Sequence, residues 1–191
     1  MPLRSLRVAL VLGVALVAAA CSAGAWSTTA VPADSSAGAT AGPAGSAGWR
    51  SASLVDVRTG DAFTIDGLKG KLVAIEPMAI WCSNCRIQQR EAVTALAAVA
   101  TDDLVYIGVD VDPNEQIDAL AAYAKEQGFD WTFAVASKDV ARSLAAEFGD
   151  QVLSPPSTPL ILVGPDGTVL ETHFGIRKAD ELEALFRQHL P

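Results

Sequence analysis

Side chains that ligate metals are scarce in this 191-residue chain, which holds three cysteines and two histidines. A structural zinc site takes four ligands. Beyond Cys21 only Cys82, Cys85, His173 and His189 could supply them, at no recognisable spacing, so zinc is set aside. Cations are also few, 14 basic against 22 acidic residues with a net charge of −8. That balance repels phosphate backbones and excludes nucleic acid as a partner. No apolar run approaches the roughly 20 residues needed to cross a bilayer, since the run from Val8 to Ala20 has only 13. Half the residues are nevertheless apolar, enough for one domain with a real core plus some non-globular chain.

Arg4 and Arg7 followed by Val8–Ala20 have the layout of a secretory leader, a basic start and then an apolar stretch. Ala18-Ala19-Ala20-Cys21 resembles a bacterial lipobox, with Ala18 where Leu is usual, and implies that Cys21 takes a diacylglycerol and becomes the mature N-terminus. Simple cleavage after an Ala-x-Ala site is the alternative. Either removal leaves 12 basic and 22 acidic residues, a mature charge of −10. Lipidation of Cys21 would also account for an odd cysteine in an exported protein. Cys82 and Cys85 then stand as an isolated pair in a compartment where both dithiol and disulfide matter.

Ser22–Gly48 is almost all Ala, Gly, Ser, Thr and Pro, which cannot bury enough apolar surface to offset the entropy of ordering. It reads as a leash of about 30 Å root-mean-square reach. The expected division is a signal peptide over 1–20, a lipid-anchored flexible linker over 21–48 and a folded domain over 49–191.

Within that domain, Leu54–Val57 and Ala62–Ile65 flank the turn Arg58-Thr59-Gly60-Asp61 and predict a hairpin. Leu72–Glu76 is a continuous apolar run suited to a central strand. A helix is expected from Asn84 with Ala92, Val93, Leu96, Val99 and Ala100 inward. A second buried strand is expected over Leu104–Val109. Asp112-Pro113-Asn114-Glu115 reads as a capped helix start and Gly128 as its stop. Trp131–Val135 predicts a strand, and Val140, Leu144 and Phe148 mark a helix ending at Gly149. Leu160–Val163 and Thr168–Phe174 flank Gly164-Pro165-Asp166-Gly167, a hairpin signal. A last helix turns Leu182, Leu185, Phe186 and Leu190 inward. The order predicts an α/β sandwich of three layers, with a mixed central sheet, helices on both faces and an N-terminal β-hairpin.

Trp81-Cys82-Ser83-Asn84-Cys85 lies where a buried strand gives way to a helix. A cysteine there faces unpaired backbone N–H groups and the positive end of the helix dipole, which lower its pKa, so Cys82 is the expected nucleophile. Cys85, one turn on, is placed to resolve a mixed disulfide. The W-C-x-x-C motif resembles the active site of the thioredoxin superfamily. So do Thr158-Pro159 before an apolar strand, similar to that family's cis-proline loop, and Glu76 six residues before Cys82, similar to its buried proton-shuttling acid.

The likeness covers approximately Ser53 to the C-terminus. It is nearest to the TlpA-like membrane-anchored reductases, through the N-terminal hairpin, the Gly70-Lys71 step and the extra helix and strand between Val109 and Thr158. It implies a thioredoxin-like fold, thiol-disulfide exchange without a cofactor, and Trp81, Thr158 and Pro159 lining the substrate site. It further implies an extracytoplasmic, lipid-anchored protein that reduces disulfides in exported partners, cytochrome c maturation factors or copper-site assembly proteins among them, and that is re-reduced by a DsbD- or CcdA-like membrane electron donor. Two positions depart from the pattern. Pro77-Met78 replaces an aromatic pair and predicts a bulge or strand end, because Pro cannot donate to a ladder. Gln88 stands where many such reductases carry Glu, which leaves Glu76 as the only obvious acid near the pair in sequence.

Competing readings fit less well. A three-residue step staples almost no chain, so a purely structural disulfide would add little stability. Copper-assembly proteins of related fold use C-x-x-x-C with a distal His, one residue longer than the spacing here. A thiol peroxidase needs a hydroxyl ahead of its cysteine, and Ala79 and Ile80 have none. The remaining alternatives to a reductase are a disulfide oxidase or isomerase, and a non-catalytic binding module. A neutral Ser83-Asn84 and a nearby Glu76 both disfavour a thiolate, and so favour a reductant.

Overall fold

The structure is a computed structural model and describes residues 48–191. The leader, Cys21 and all but the last residue of the linker lie outside the described residues. Gly48 and Trp49 open the domain, and Trp49 is buried against Phe148 at a centroid distance of 5.6 Å. Its indole donates to Glu147 Oε2 at 2.7 Å, and Arg50 pairs with the same carboxylate.

Two short strands, β1 (Leu54–Val55) and β2 (Ala62–Phe63), pair antiparallel as the expected hairpin, shorter than the sequence pattern predicts. The main sheet contains β3 (Leu72–Met78), β4 (Leu104–Asp110), β5 (Thr132–Val135), β6 (Pro159–Val163) and β7 (Val169–Phe174). Its order is β5-β4-β3-β6-β7. The first three are mutually parallel, and β6 runs antiparallel to both β3 and β7. Four helices complete the fold: α1 (Ser83–Val99), α2 (Ile117–Gln127), α3 (Lys138–Phe148) and α4 (Ala179–His189).

Two apolar layers lie on either side of the sheet. One joins Leu72, Ala74 and Met78 to Cys82, Cys85, Ala92, Leu120, Leu182 and Phe186, from α1, α2 and α4. The other joins Val73 and Ile75 to Val140 and Leu144 of α3 and to Trp49. The alternation along β3 decides which side chains face which layer. The mixed sheet with helices on both faces is therefore as expected.

Three local expectations are corrected. α1 turns Cys85, Gln88, Gln89, Ala92 and Ala95 inward, whereas Val93 stays 43% exposed. The inner stripe is rotated because two glutamines find buried partners. The helix expected from Asp112 begins only at Ile117, since the Asp112 carboxylate serves the Trp81 indole and the Asn114 amide instead of capping. Gly128 does end that helix, with φ of 72°.

Pro77 neither bulges β3 nor ends it. The Leu72 amide and the Met78 carbonyl bond towards β4, so the intervening odd positions turn towards β6. Pairing with β6 runs Val73↔Val163 to Ile75↔Ile161, and extending that register sets Pro77 against Pro159. The two prolines share a rung on which neither has an N–H to leave unsatisfied.

Gly108 sits opposite Glu76, and a Cβ there would stand 2.5 Å from Cε1 of Phe133. Overpacking of this kind costs about 1–3 kcal/mol. Gly108→Ala is predicted to lower the denaturation midpoint accordingly, with part of the loss recovered when Phe133→Leu is added. An alanine variant as stable as its parent would contradict this packing.

Candidate active site

Cys82 is the N-cap of α1, with extended backbone (φ −78°, ψ 113°). Its Sγ accepts the Cys85 amide N–H at 3.1 Å, which is how a helix N-terminus stabilises negative charge on sulfur. Cys82 and Cys85 form a disulfide with Cα atoms 5.4 Å apart. Both are buried, Cys82 at 2% and Cys85 at 0% exposure. Cys85 Sγ lies 3.3 Å from the Pro155 carbonyl oxygen, an acceptor for its thiol once reduced. Asn84 donates from Nδ2 to the Pro156 carbonyl at 2.9 Å and ties the motif to the loop before β6. Trp81 is 57% exposed beside the pair.

The cis bond expected at Pro159 is absent, for no peptide bond among the described residues is cis. A single-turn 3-10 helix, Pro155–Ser157, leads into Thr158, whose left-handed backbone (φ 45°, ψ 61°) redirects the chain into β6. Thr158 supplies the change of direction that a cis bond would otherwise provide. The conformation is costly for a β-branched residue. The Thr158 amide is not free for a substrate strand either, because it donates to Pro155 O at 2.8 Å. Thr158 and Pro159 are both buried, directly below the segment that contacts Cys85.

Glu76 is fully buried on the face of β3 that carries Ala74 and Met78, the layer shared with both cysteines. Tyr106 donates its hydroxyl to Glu76 Oε2 at 2.9 Å. Oε1 makes no hydrogen bond, and neither does the buried Nε2 of Gln89. Burial pushes the carboxyl from 4.5 up to about 8, with Tyr106 and then Gln89 pulling the other way. Burial and the Glu76 charge drive the Tyr106 hydroxyl well above its ordinary value. Gln89 Oε1 accepts the Tyr123 hydroxyl at 2.5 Å. At neutral pH Glu76 therefore holds a proton inside the layer that holds the thiols.

A second buried acid escapes the sequence reading. Asp110, the last residue of β4, is fully buried and level with Met78. Burial raises its carboxyl from 3.8 to about 7. Gln88 is also buried, and holds the backbone of Arg177 by accepting its N–H at 2.7 Å and donating to its carbonyl at 3.4 Å. A signal for the glutamines exists: Cys85, Gln88, Gln89 and Ala92 share one helical face at i, i+3, i+4 and i+7. Nothing comparable marks Asp110, since its surroundings depend on strand register.

His173 lies on β7 opposite Leu160. Among the described residues no group of three or more His, Cys, Asp or Glu side chains could hold a metal ion.

No protein-family model matches the chain, and no curated protein does. Solved structures match with full probability. A thiol:disulfide interchange protein of the thioredoxin family from Chlorobium tepidum is 23% identical over 73% of this chain and 93% of its own, with a TM-score of 0.59. A secreted Mycobacterium tuberculosis disulfide oxidoreductase homologous to Escherichia coli DsbE is 16% identical over 72% and 95%, at 0.55. Copper-bound ScoI from Arabidopsis thaliana is 17% identical over 72% and 94%, at 0.58. At these identities the likeness speaks for the fold, which is that of thioredoxin.

Both buried acids bind protons more tightly in the folded than in the unfolded chain, so the oxidised protein loses stability as pH rises. For Asp110 that window runs from 3.8 to about 7, and for Glu76 from 4.5 to about 8. Between about pH 7 and 8 the loss belongs to Glu76. Glu76→Gln is predicted to flatten the urea midpoint over that interval and to make the fall at lower pH shallower, leaving the share that belongs to Asp110. A parent protein whose midpoint does not fall there would remove the buried, protonated Glu76.

Proposed function

We propose that this thioredoxin-fold chain is a thiol-disulfide oxidoreductase that reduces disulfides in exported partner proteins. The observation that carries the reading is the Cys82–Cys85 pair at the N-cap of α1, in one apolar layer with the protonated Glu76.

In the reaction, the Cys82 thiolate attacks one sulfur of a partner disulfide. A Cys82–partner bond forms, the partner S–S bond breaks, and one partner thiolate leaves. Cys85 passes its proton to Glu76 in its ionised form, the minority state at neutral pH, and then attacks Cys82 Sγ. The mixed disulfide breaks, the second partner thiolate leaves, and both partner thiolates take up protons. Two electrons pass from the Cys82–Cys85 dithiol to the partner, which leaves the disulfide described above. No cofactor takes part. A membrane electron donor of the DsbD or CcdA kind would restore the dithiol.

The surroundings of Cys82 favour the reducing direction. A reduced form becomes unusually stable, and the couple oxidising, when its thiolate is strongly stabilised. Here the helix amides do that work nearly alone. Ser83 and Asn84 are neutral, and Arg86 turns its guanidinium towards the Ile80 carbonyl and the Tyr123 ring. Glu76 adds no cation either, and when ionised it would oppose a thiolate in the same layer. Trp81, Thr158 and Pro159 form the proposed substrate side of the site, with recognition through the exposed indole. Candidate partners, proposed from the resemblance of the motif alone, are copper-site assembly and cytochrome c maturation factors.

Lipidation of Cys21 is proposed as the membrane attachment, on the lipobox-like Ala18-Ala19-Ala20-Cys21. Cys21→Ser is expected to move the domain into the soluble exported fraction, and unchanged membrane association would reject that anchor.

Brief iodoacetamide treatment of the reduced protein, mapped by mass, is expected to label Cys82 well before Cys85. Cys82→Ser should abolish insulin reduction, which separates an enzyme from a binding module. Equilibration with glutathione or dithiothreitol is expected to give a potential nearer the −270 mV of thioredoxin than the roughly −120 mV of the oxidant DsbA. A value above about −150 mV would replace the reductase with an oxidase.

A further inference from the structure

The chemistry above uses Cys82, Cys85 and Glu76 and leaves Asp110 without a role. Asp110 is nevertheless a fully buried carboxylate at the carboxyl end of β4, beside the strand that delivers the cysteines. Its Oδ2 accepts the N–H of Ile80 at 3.1 Å and its Oδ1 the N–H of Asp112 at 2.8 Å. Asp112 in turn accepts the Trp81 indole N–H on Oδ2 at 2.7 Å and the Asn114 amide on Oδ1 at 2.9 Å. Two carboxylates, one inside the other, thus hold the two residues immediately before Cys82.

We infer that Asp110 is a positioning residue for the nucleophile: as a carboxylate it clasps the Ile80 amide and, by ordering Asp112, the Trp81 indole, and so sets where Cys82 stands at the head of α1. The inference rests on the reading of Cys82 as the attacking sulfur.

The clasp depends on charge. A carboxylate accepts at both oxygens, whereas a carboxylic acid turns one of them into a donor, and neither the Ile80 nor the Asp112 amide can receive it. Protonation therefore forfeits one of the two bonds. Burial is the largest influence raising the Asp110 carboxyl to about 7, Glu115 and Asp112 add like charge from the segment before α2, and the two amides lower it. Met78–Ile80 at the end of β3 and Val135–Ala136 at the end of β5, whose Ala136 amide bonds the Asp110 carbonyl, bring no ionisable side chain. The clasp is closed above about pH 7 and loses a bond below it.

A pure charge effect would act in the opposite sense. A carboxylate near a thiolate raises the pKa of the thiol, so removing the charge would speed Cys82. Removing a clasp would slow it. The sign of the change in Asp110→Asn separates the two.

The decisive measurement uses the oxidised protein, in which no thiol titrates. The Trp81 indole resonance, identified by its loss in Trp81→Phe, and the Ile80 amide resonance are followed by NMR as pH is varied. Both are expected to titrate with a shared midpoint near 7, and Asp110→Asn to abolish that inflection. Asp112→Asn should remove it from Trp81 and keep it at Ile80. In the reduced protein, labelling of Cys82 is expected to slow about tenfold in Asp110→Asn, the scale of one hydrogen bond to a charged group.

Resonances without an inflection near 7 in the parent protein would overturn the inference, whether or not the variant folds. Labelling that is unchanged or faster in a folded Asp110→Asn would overturn it as well. Equal labelling of both cysteines in the parent would remove the nucleophile reading, and the inference with it, even where the clasp titrates.

Discussion

The parallel register between β3 and β4 is the constraint on which the site depends. It pairs Ala74 with Tyr106, Glu76 with Gly108 and Met78 with Asp110, all on the face that looks towards α1. Ala74 is small enough for Tyr106 to lie alongside and reach the Glu76 carboxyl. Gly108 has no side chain, and the space above it belongs to Phe133. Asp110, level with the end of β3, is left to satisfy the amides of the turn that follows. A slip of one residue would turn Tyr106 and Asp110 to the opposite layer and leave Glu76 buried with no hydrogen-bond donor.

Within that register the protein keeps two acids in low-dielectric surroundings with few bonds each, at a cost in stability near neutral pH. Such a cost is common at sites whose chemistry needs a perturbed group. The two acids are arranged differently. Glu76 has one hydroxyl partner and a free oxygen, as suits a group that gains and loses a proton. Asp110 has both oxygens occupied by backbone amides, as suits a group that holds a turn in place.

What the sequence made legible was local. The C-x-x-C step, its place between an apolar strand and a helix, the glycine stops at Gly128 and Gly149 and the hairpin at Gly164–Gly167 are encoded within a few residues of one another. Glu76 stood out as a lone acid in an apolar run. The errors arose where a side chain served a distant partner. Asp112 has the composition of a helix cap, but Trp81, 31 positions away in sequence, claims its carboxylate. Pro77 read as a strand breaker because its counterpart across the sheet, Pro159, is unknowable until β6 is placed. The left-handed Thr158, which replaces the expected cis bond, likewise follows from how β6 must enter between β3 and β7. Gln88 belongs to the same class, since its two bonds close on Arg177, 89 residues further along.

The clamp of Trp49 and Arg50 on Glu147 has a mechanical meaning. Any pull on the chain ahead of Gly48 enters the folded domain at this point, where an indole and a guanidinium share one carboxylate of α3. Trp49 belongs to the layer of Val73, Ile75 and α3, whereas the disulfide belongs to the layer on the other side of the sheet. Tension would therefore fall first on α3 and on the layer that holds it against the sheet. The disulfide lies across the sheet from the point of load.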